Sequence, residues 1–342
     1  MILNTQIVEE TIDGEQRARF VKELVLSRRS SPIAMVRKRD ASKAGTRATL
    51  LLIHGYGQNR YAWHLPSRSF ANYLARAGFD VFSMDLRGHG KSGHFGSRRP
   101  RCPSEHVKED VPSAVEEIQR VTGQDRIWLV GHSLGGLISY AAAPSMREAV
   151  AGIATFGSPF HFTRGSWALS LLGTLAVLAD SRIRPQRGWL PLYLWGEIAR
   201  IGQIVVDNPL VPLPLRGWAP QAMEDEIFAQ HMALAMDRAS IEVMMQMFRT
   251  VADRRARRCD DGGIAGFEGA FEKLDLPLLV VAGSKDDLAP PPSVEPAYRQ
   301  SRSSDKTYRL FDVGHIDMLV GKKAPRTTWI ALESWLSDRT GG

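Results

Sequence analysis

The sequence has few cysteines and no apolar segment long enough to cross a bilayer. Only Cys102 and Cys259 occur among 342 residues, so neither a disulfide framework nor an oxidising compartment is implied. The strongly apolar stretch at residues 167–179 is shorter than the about 20 residues of a membrane-spanning helix. Residues 1–15 show neither the basic nor the apolar region of a secretory signal peptide. We therefore expect a soluble, cytoplasmic protein.

The sequence also lacks internal repeats, low-complexity tracts and patterns that bind metals or nucleotides. Its nine histidines show no ligand spacing with cysteine, aspartate or glutamate. The segment 88–92 ends like a phosphate-binding P-loop, but Asp85 stands where that motif requires its first glycine. Arg60 likewise replaces a glycine of the dinucleotide-binding pattern that begins at Gly55. We expect no metal and no cofactor.

Basic residues are in excess only in the first third of the chain. The formal net charge is +7, and residues 1–105 contain 18 lysines and arginines against nine acidic residues. Because no nucleic-acid-binding motif accompanies them, we interpret them as a solvated surface and expect no nucleic-acid partner. The composition, 44% hydrophobic and 24% charged, is that of a folded globular protein.

Short runs of branched apolar residues alternate with helical patterns. This alternation predicts βαβ units and an α/β fold with a mostly parallel, doubly wound sheet. The first two strands are expected to form an antiparallel hairpin at the edge of the sheet. Strands are predicted at 20–26, 33–36, 48–53, 80–84, 126–130, 153–156, 276–282 and 308–311, and helices at 69–77, 107–121, 134–143 and after Pro325.

The alternation stops near residue 160 and resumes near 271. This predicts three parts: an N-terminal part of the core (1–159), a helical cap or lid (160–270) and a C-terminal part of the core (271–342). The apolar stretch 167–179 is interpreted as a buried helix, the alternative being a lid helix that lines a lipid-sized pocket or touches a membrane surface. The methionine-rich stretch 222–251 indicates either core or an adaptable surface for flexible apolar chains.

The strongest motif is Gly131-His132-Ser133-Leu134-Gly135, at a predicted strand-to-helix junction. In that context G-x-S-x-G forms a sharp turn that exposes a nucleophilic serine. Ser133 is therefore the candidate nucleophile. The backbone N–H of Leu134, at the start of the helix, would point into the same space.

A serine nucleophile needs a base and an acid that orients the base. Asp286 follows one predicted strand and His315 follows the last, and parallel sheets place their sites at these strand ends. We predict His315 as the base and Asp286 as the acid, with Asp287 as the fallback. Asp317 is interpreted as a supporting or helix-starting residue.

The segment His54-Gly55-Tyr56-Gly57 follows the predicted strand 48–53 and supplies a second candidate amide. Its glycines allow the backbone to approach the cleft, so the N–H of Tyr56 is predicted to complete an oxyanion hole with Leu134. His54 is interpreted mainly as a structural residue that binds loop backbone, and Trp63 as a core or pocket-wall residue. The candidate pocket residues are His54, Gly55, Trp63, His132, Trp167 and Met244.

These motifs, in this order, resemble the α/β-hydrolase superfamily. The matching blocks are HGYGQNRYAW, DLRGHGKSG, GHSLGG, GSKDDLAP and GHIDML, and they cover nearly everything except the cap. The resemblance implies Ser133, Asp286 and His315 as a triad, with the Tyr56 and Leu134 amides as its oxyanion hole. The segments 156–159 and 315–321 look more like lipases and polyester synthases than small esterases. Polyester synthases carry cysteine at the position of Ser133, and epoxide hydrolases carry aspartate there, which disfavours both chemistries.

The expected activity is hydrolysis of a carboxylic ester through an acyl-enzyme. The apolar cap favours a small-molecule substrate with a medium or long acyl chain, and it would permit peripheral contact with a lipid surface. Acyl transfer, thioester or amide cleavage with the same triad, and a non-catalytic ligand receptor remain open, as does the oligomeric state.

Overall fold

A nine-stranded sheet forms the centre of the molecule. The computed structural model describes residues 1–180, 188–252 and 267–341. In the sheet, the strands lie in the order β1-β2-β3-β5-β4-β6-β7-β10-β11, and a separate antiparallel pair is formed by β8 and β9. The strands are β1 (Ile2–Asp13), β2 (Gln16–Leu26), β3 (Ala34–Asp40), β4 (Thr49–Ile53), β5 (Asp80–Met84), β6 (Ile127–His132), β7 (Val150–Phe156), β8 (Trp189–Pro191), β9 (Arg238–Ser240), β10 (Leu278–Gly283) and β11 (Lys306–Phe311).

Six of the nine strands run parallel, from β5 through β11, while β1, β2 and β3 pair antiparallel. Strand β4 lies between β5 and β6. The chain therefore leaves β4 toward one side to form β5 and then crosses to the other side of β4 to form β6. The loops after β4 and β6 therefore meet at one edge of the sheet, where α/β proteins place their sites.

Helices cover both faces of the sheet and bury one apolar cluster on each face. The predicted mostly parallel, doubly wound α/β fold is thus confirmed. The α-helices are α1 (Phe70–Arg76), α2 (Gly90–His94), α3 (Pro103–Glu105), α4 (Val111–Thr122), α5 (Leu134–Ala142), α6 (Trp167–Asp180), α7 (Leu192–Ile201), α8 (Gln203–Val206), α9 (Asp225–Gln230), α10 (Ile241–Ala252), α11 (Glu268–Glu272), α12 (Pro291–Gln300), α13 (Asp317–Val320) and α14 (Thr328–Thr340).

Strand β1 was not predicted from the sequence. It pairs along its length with β2 in an edge hairpin, and most of its side chains are exposed on both faces. A strand exposed in this way lacks the apolar alternation that marks a half-buried strand. Backbone pairing with β2 stabilises this strand instead.

Between β7 and β10 the chain forms helices α6 to α10 and the β8–β9 pair, which we call the cap. Its C-terminal limit adjoins residues outside the described ranges, so the boundaries at 160 and 270 stay predictions. The interpretation of residues 167–179 as a buried helix is wrong: α6 leaves Trp167 72% and Leu175 55% exposed. No helix in the described part of the chain combines the length and apolarity needed to cross a membrane.

Candidate active site

Ser133 lies at the turn between β6 and α5 in a strained backbone conformation, with φ 53° and ψ −120°. The neighbouring glycines are required sterically. A Cβ at Gly131 would overlap the backbone of Gly136, and a Cβ at Gly135 would overlap the carbonyl of Ile53. Strain of this kind costs about 1–3 kcal/mol and persists where surrounding structure imposes it. The turn places Ser133 on the wall of a cavity of about 310 Å³, next to the start of α5.

His315 and Asp286 form a hydrogen-bonded pair beside that cavity. Nδ1 of His315 donates to Oδ2 of Asp286 at 2.7 Å, and Oδ1 of Asp286 accepts from the backbone N–H groups of Leu288 (3.0 Å) and Ala289 (2.7 Å). Burial alone would lower the pKa of His315, but the charge and hydrogen bond of Asp286, with smaller effects from nearby carboxylates, raise it. The pair has the geometry of a base held by its acid.

Asp287, the fallback acid, has different partners. Oδ2 accepts from the backbone N–H of Arg216 at 2.6 Å and Oδ1 from that of Gly217 at 2.9 Å. Burial raises its pKa. The structure therefore brings Asp286, and not Asp287, to the imidazole.

The N–H groups of Tyr56 and Leu134 donate to no acceptor among the residues that the structure describes. Both residues line the cavity that contains Ser133 and His315. Tyr56 follows β4, and its hydroxyl donates to the carbonyl of Ser240 at 2.8 Å, which fixes this loop against the cap. Two unpaired amides in the same cavity wall as a serine are candidate donors for an oxyanion.

Of the six candidate pocket residues, Met244 lines the cavity and the other five do not contribute to its wall. His54 is buried in the core, where Nδ1 donates to the carbonyl of Gly55 at 2.8 Å and Nε2 accepts from the N–H of Leu86 at 3.0 Å. Gly55 has no side chain to present, and an added Cβ would lie 2.8 Å from Oε1 of Gln58. Both residues shape the loop that carries Tyr56.

The remaining three candidates lie away from the cavity: Trp63 and His132 are in the protein interior, and Trp167 is at the surface. Trp63 is fully buried and packs against Phe156 in the core. His132 is buried behind the serine, where Nε2 lies 3.1 Å from the carbonyl oxygen of His315. Trp167 is on the outside of α6, exposed to solvent.

The cap supplies most of the cavity wall. The cavity holds about 310 Å³, near the lower end for small-molecule sites, and its wall is predominantly apolar. Sequence reasoning missed most of these residues because helices of the cap carry no motif, and apolar spacing alone does not tell a core face from a pocket face. The lining residues outside the predicted site are Gln58, Pro159, Phe162, Leu169, Leu172, Leu192, Trp195, Leu215, Arg216, Gly217, Trp218, Met232, Met236, Met247, Phe248, Leu288, Ala289 and Ile316.

One cap segment, residues 216–219, is attached directly to the loops that hold Asp286 and His315. Besides the two bonds to Asp287, the N–H of Ile316 donates to the carbonyl of Gly217 at 2.8 Å. Asp317 accepts from the N–H of Ala219 at 2.9 Å and from that of Gly314 at 2.8 Å. Asp317 also begins α13, as expected. The cap and the two catalytic loops are thus joined by one backbone–backbone hydrogen bond and by bonds from cap N–H groups to the carboxylates of Asp287 and Asp317.

No group of three or more histidine, cysteine, aspartate or glutamate side chains is placed to hold a metal ion within the described ranges. Of the two cysteines, Cys102 is a free thiol in the structure, and Cys259 lies outside the described residues.

Comparison with known proteins gives one fold. Residues 48–188 match the family model described as alpha/beta hydrolase fold. The chain is 22% identical over 98% of its length to the poly(3-hydroxyalkanoate) polymerase subunit of Haloferax mediterranei, covering 69% of that protein. It is 24% identical over 83% of its length to human lipase member M, covering 73% of it.

A soluble variant of monoglyceride lipase from Saccharomyces cerevisiae, solved with a substrate analogue, superposes with a TM-score of 0.61. The match covers 99% of this chain and 96% of the lipase at 19% identity. At that identity the likeness shows the fold.

Proposed function

We propose that this chain, which has the α/β-hydrolase fold and matches that family's model over residues 48–188, hydrolyses carboxylic esters with medium or long apolar acyl chains. The observation that carries the proposal is a juxtaposition. Ser133, His315 and the two residues with unpaired backbone amides line the same predominantly apolar cavity, and Asp286 binds His315 beside it.

The proposed reaction begins with attack of Ser133 Oγ on the ester carbonyl while Nε2 of His315 takes its proton. Asp286 holds Nδ1 and stabilises the imidazolium. The Tyr56 and Leu134 amides bind the oxyanion of the tetrahedral intermediate, where one such donor is worth about 2.7–4 kcal/mol. His315 then protonates the leaving alcohol, and water, activated by the same imidazole, releases the acid from Ser133.

The cavity wall supports the apolar acyl chain. Four methionines line it: Met244 and Met247 lie on α10, and Met232 and Met236 lie before β9. Leucines of α6 and α7 line it as well. Methionine side chains are flexible and polarisable, so they adapt to chains of different length. Each buried methylene of substrate would contribute about 0.8 kcal/mol to binding.

Exposed apolar side chains on the cap support contact with a lipid surface. Trp167 and Leu175 are exposed on α6, and Ile198, Ile201 and Ile204 on α7 and α8. Leu172 and Trp195 belong to both surfaces: they line the cavity and are 48% and 43% exposed. Apolar side chains are thus shared between the outside of the cap and the cavity that contains Ser133, which favours a substrate drawn from a lipid surface.

The test is hydrolysis of p-nitrophenyl esters of increasing acyl length by the wild type and Ser133→Ala. A Ser337→Ala variant, altered on the distant helix α14, is the matched control. The proposal predicts turnover that peaks at medium or long chains, disappears with Ser133→Ala and survives Ser337→Ala. A peak at acetyl or butyryl esters would overturn the acyl-chain assignment, and turnover by Ser133→Ala would overturn the mechanism.

Acyl transfer is the second candidate, favoured by the likeness to a polymerase subunit over 98% of the chain. The chemistry is the same until an alcohol replaces water as the acceptor. Adding primary alcohols and measuring ester against acid products separates the two. Hydrolysis predicts mainly acid at millimolar alcohol, and transfer predicts mainly the new ester.

A further inference from the structure

Arg216 has an unusual position in the cavity wall. It is the sole arginine or lysine among the described residues that line the cavity. Its backbone is fixed, because the N–H donates to Asp287 at 2.6 Å and the next residue is bonded to both Asp287 and Ile316. The one permanently charged side chain among the described lining residues therefore belongs to a residue with a fixed backbone, in a wall that is predominantly apolar.

The guanidinium of Arg216 is only partly satisfied by the protein. Nη2 donates to the carbonyls of Asn208, at 3.0 Å, and Val211. Nε is buried without an acceptor. Nη1 donates to no protein group in the described part of the chain and is absent from its buried, unsatisfied atoms, so it remains accessible.

Arg216 also lacks a counter-ion. Among the described residues, no ion pair joins its guanidinium nitrogens to a carboxylate oxygen within 4.0 Å, and Asp287 binds its backbone N–H instead. Arg216 is partly withdrawn from solvent, where a charge without an anion is unfavourable, and the arginine fork matches the oxygens of carboxylate and phosphate groups.

We propose that Arg216 is an anion-binding subsite of the active-site cavity, and that the preferred substrate is an apolar-chain ester that also carries a carboxylate or phosphate group. This inference rests on the proposed function and refines its substrate. The ester carbonyl lies at Ser133, the chain contacts the apolar wall, and the anionic oxygens accept from the free guanidinium donors. A phosphate would belong to the alcohol part of the ester and a carboxylate to the far end of the acyl chain.

The experiment compares two pairs of substrates that differ only in the anion. The first pair is monooleoylglycerol and its 3-phosphate, and the second is methyl decanoate and monomethyl sebacate. The enzymes are the wild type, Arg216→Gln, Arg216→Lys and Arg309→Gln. Arg309 is an exposed arginine on β11 without an ion pair in the described structure, and it serves as the matched control.

The wild type should have a higher kcat/KM for the anionic member of at least one pair. A preference within the first pair identifies phosphate as the anion, and one within the second pair identifies carboxylate. Arg216→Gln should lower kcat/KM for that member by about tenfold or more, as expected for losing a charge-assisted hydrogen bond. The neutral member should change less than about threefold. Arg216→Lys should restore part of the preference, and Arg309→Gln should change nothing.

Equal losses for neutral and anionic substrates would overturn the subsite, because Arg216 would then act only by closing the loop to Asn208 and Val211. A wild type with no preference for either anion would overturn it too. Absence of Ser133-dependent turnover on all four substrates would instead contradict the proposed function, so the two failures are distinguishable.

Discussion

Oδ2 of Asp317 accepts a hydrogen bond from the backbone N–H of Ala219 at 2.9 Å, which attaches the cap to the loop that carries His315. The same oxygen accepts from Gly314, the residue before His315. Oδ1 is buried and has no hydrogen-bond partner among the described residues. Burial therefore raises the pKa of Asp317 to about 6, and this carboxylate links cap attachment to pH.

Asp317→Asn is expected to stabilise the protein at pH 8. Because the pKa in the folded state is raised from 3.8 to about 6, this group contributes most below pH 4, and that contribution is lost as pH rises through 6. At pH 8 the ionised carboxylate costs about 2–3 kcal/mol, given about 1.4 kcal/mol per pKa unit. The asparagine oxygen can still accept from both N–H groups.

Urea unfolding at pH 5 and pH 8 measures this effect. The gain of Asp317→Asn should grow toward pH 8, whereas the exposed Asp338→Asn should show no such growth. A destabilised Asp317→Asn at both pH values would mean that the charge itself holds the cap. Asp317 also raises the pKa of His315, so in Asp317→Asn the acidic limb of kcat/KM should move to lower pH.

The acidic limb of kcat/KM should lie above the ordinary histidine value of 6.5. His315 accepts a proton from Ser133 only when neutral, and Asp286 raises its pKa. The rate therefore falls as pH drops through that raised value. In Asp286→Asn the limb should move down, and kcat should fall by about 10³–10⁴, as for loss of a triad acid.

Asp287→Asn is the matched variant for that comparison. Its carboxylate binds cap backbone, so we expect less than about a tenfold loss, given a median near 1 kcal/mol for a hydrogen bond. A larger loss for Asp287→Asn than for Asp286→Asn would show that the fallback acid is the true one.

Ser133→Gly should be more stable than Ser133→Ala, although both are inactive. The backbone at residue 133, with φ 53°, costs about 1–3 kcal/mol for a residue with a side chain. Glycine removes that strain but loses about 0.5–1 kcal/mol through the entropy of the unfolded chain. The net gain is on the order of 1 kcal/mol, measurable by urea unfolding. Equal stabilities would show that the turn is unstrained.

Met244→Trp should shorten the acyl chain that the enzyme accepts. Met244 lies on α10 and lines the cavity, so the larger side chain occupies space needed by the far end of a long chain. We expect kcat/KM for a palmitoyl ester to fall about tenfold relative to an acetyl ester. Gln246→Trp, on the same helix but not at the cavity wall, is the control. An unchanged chain preference in Met244→Trp would place the acyl chain elsewhere.

Replacing Trp167, Leu171 and Leu175 by serine should weaken binding to phosphatidylcholine vesicles. These side chains form one exposed apolar face of α6, and each contributes on the order of 1 kcal/mol when buried, so at least a tenfold loss follows. Hydrolysis of a soluble short ester should persist.

Serine at Ile7, Leu310 and Ile330 removes comparable exposed apolar surface outside the cap and should leave vesicle binding unchanged. Equal losses in the two triple variants would show that the cap has no special affinity for lipid.

The core of the fold could be predicted because its strands are short, apolar and separated by amphipathic helices. Strand 80–84 has the predicted bounds, and β4, β6 and β7 differ by a few residues at their ends. Sequence alone also brought Asp286 and His315 together, since both follow neighbouring parallel strands. Strand β1 escaped prediction because exposed edge residues carry no periodic signal.

The cap could not be predicted to the same depth. The strong apolarity of α6 indicated burial, yet Trp167 and four of its five leucines are exposed, because apolar composition does not identify what a side chain contacts. Arg216 carried no signal at all in the sequence. Its position depends on hydrogen bonds to Asp287, which only the folded chain brings near.

Labelling with a fluorophosphonate, followed by peptide mass spectrometry and an ester assay on the same sample, tests the central claim most directly. The account predicts one covalent adduct per chain, on Ser133, with ester hydrolysis falling in proportion to labelling. Full hydrolysis by a completely labelled enzyme, or an adduct on a different residue that accounts for the lost activity, would contradict it.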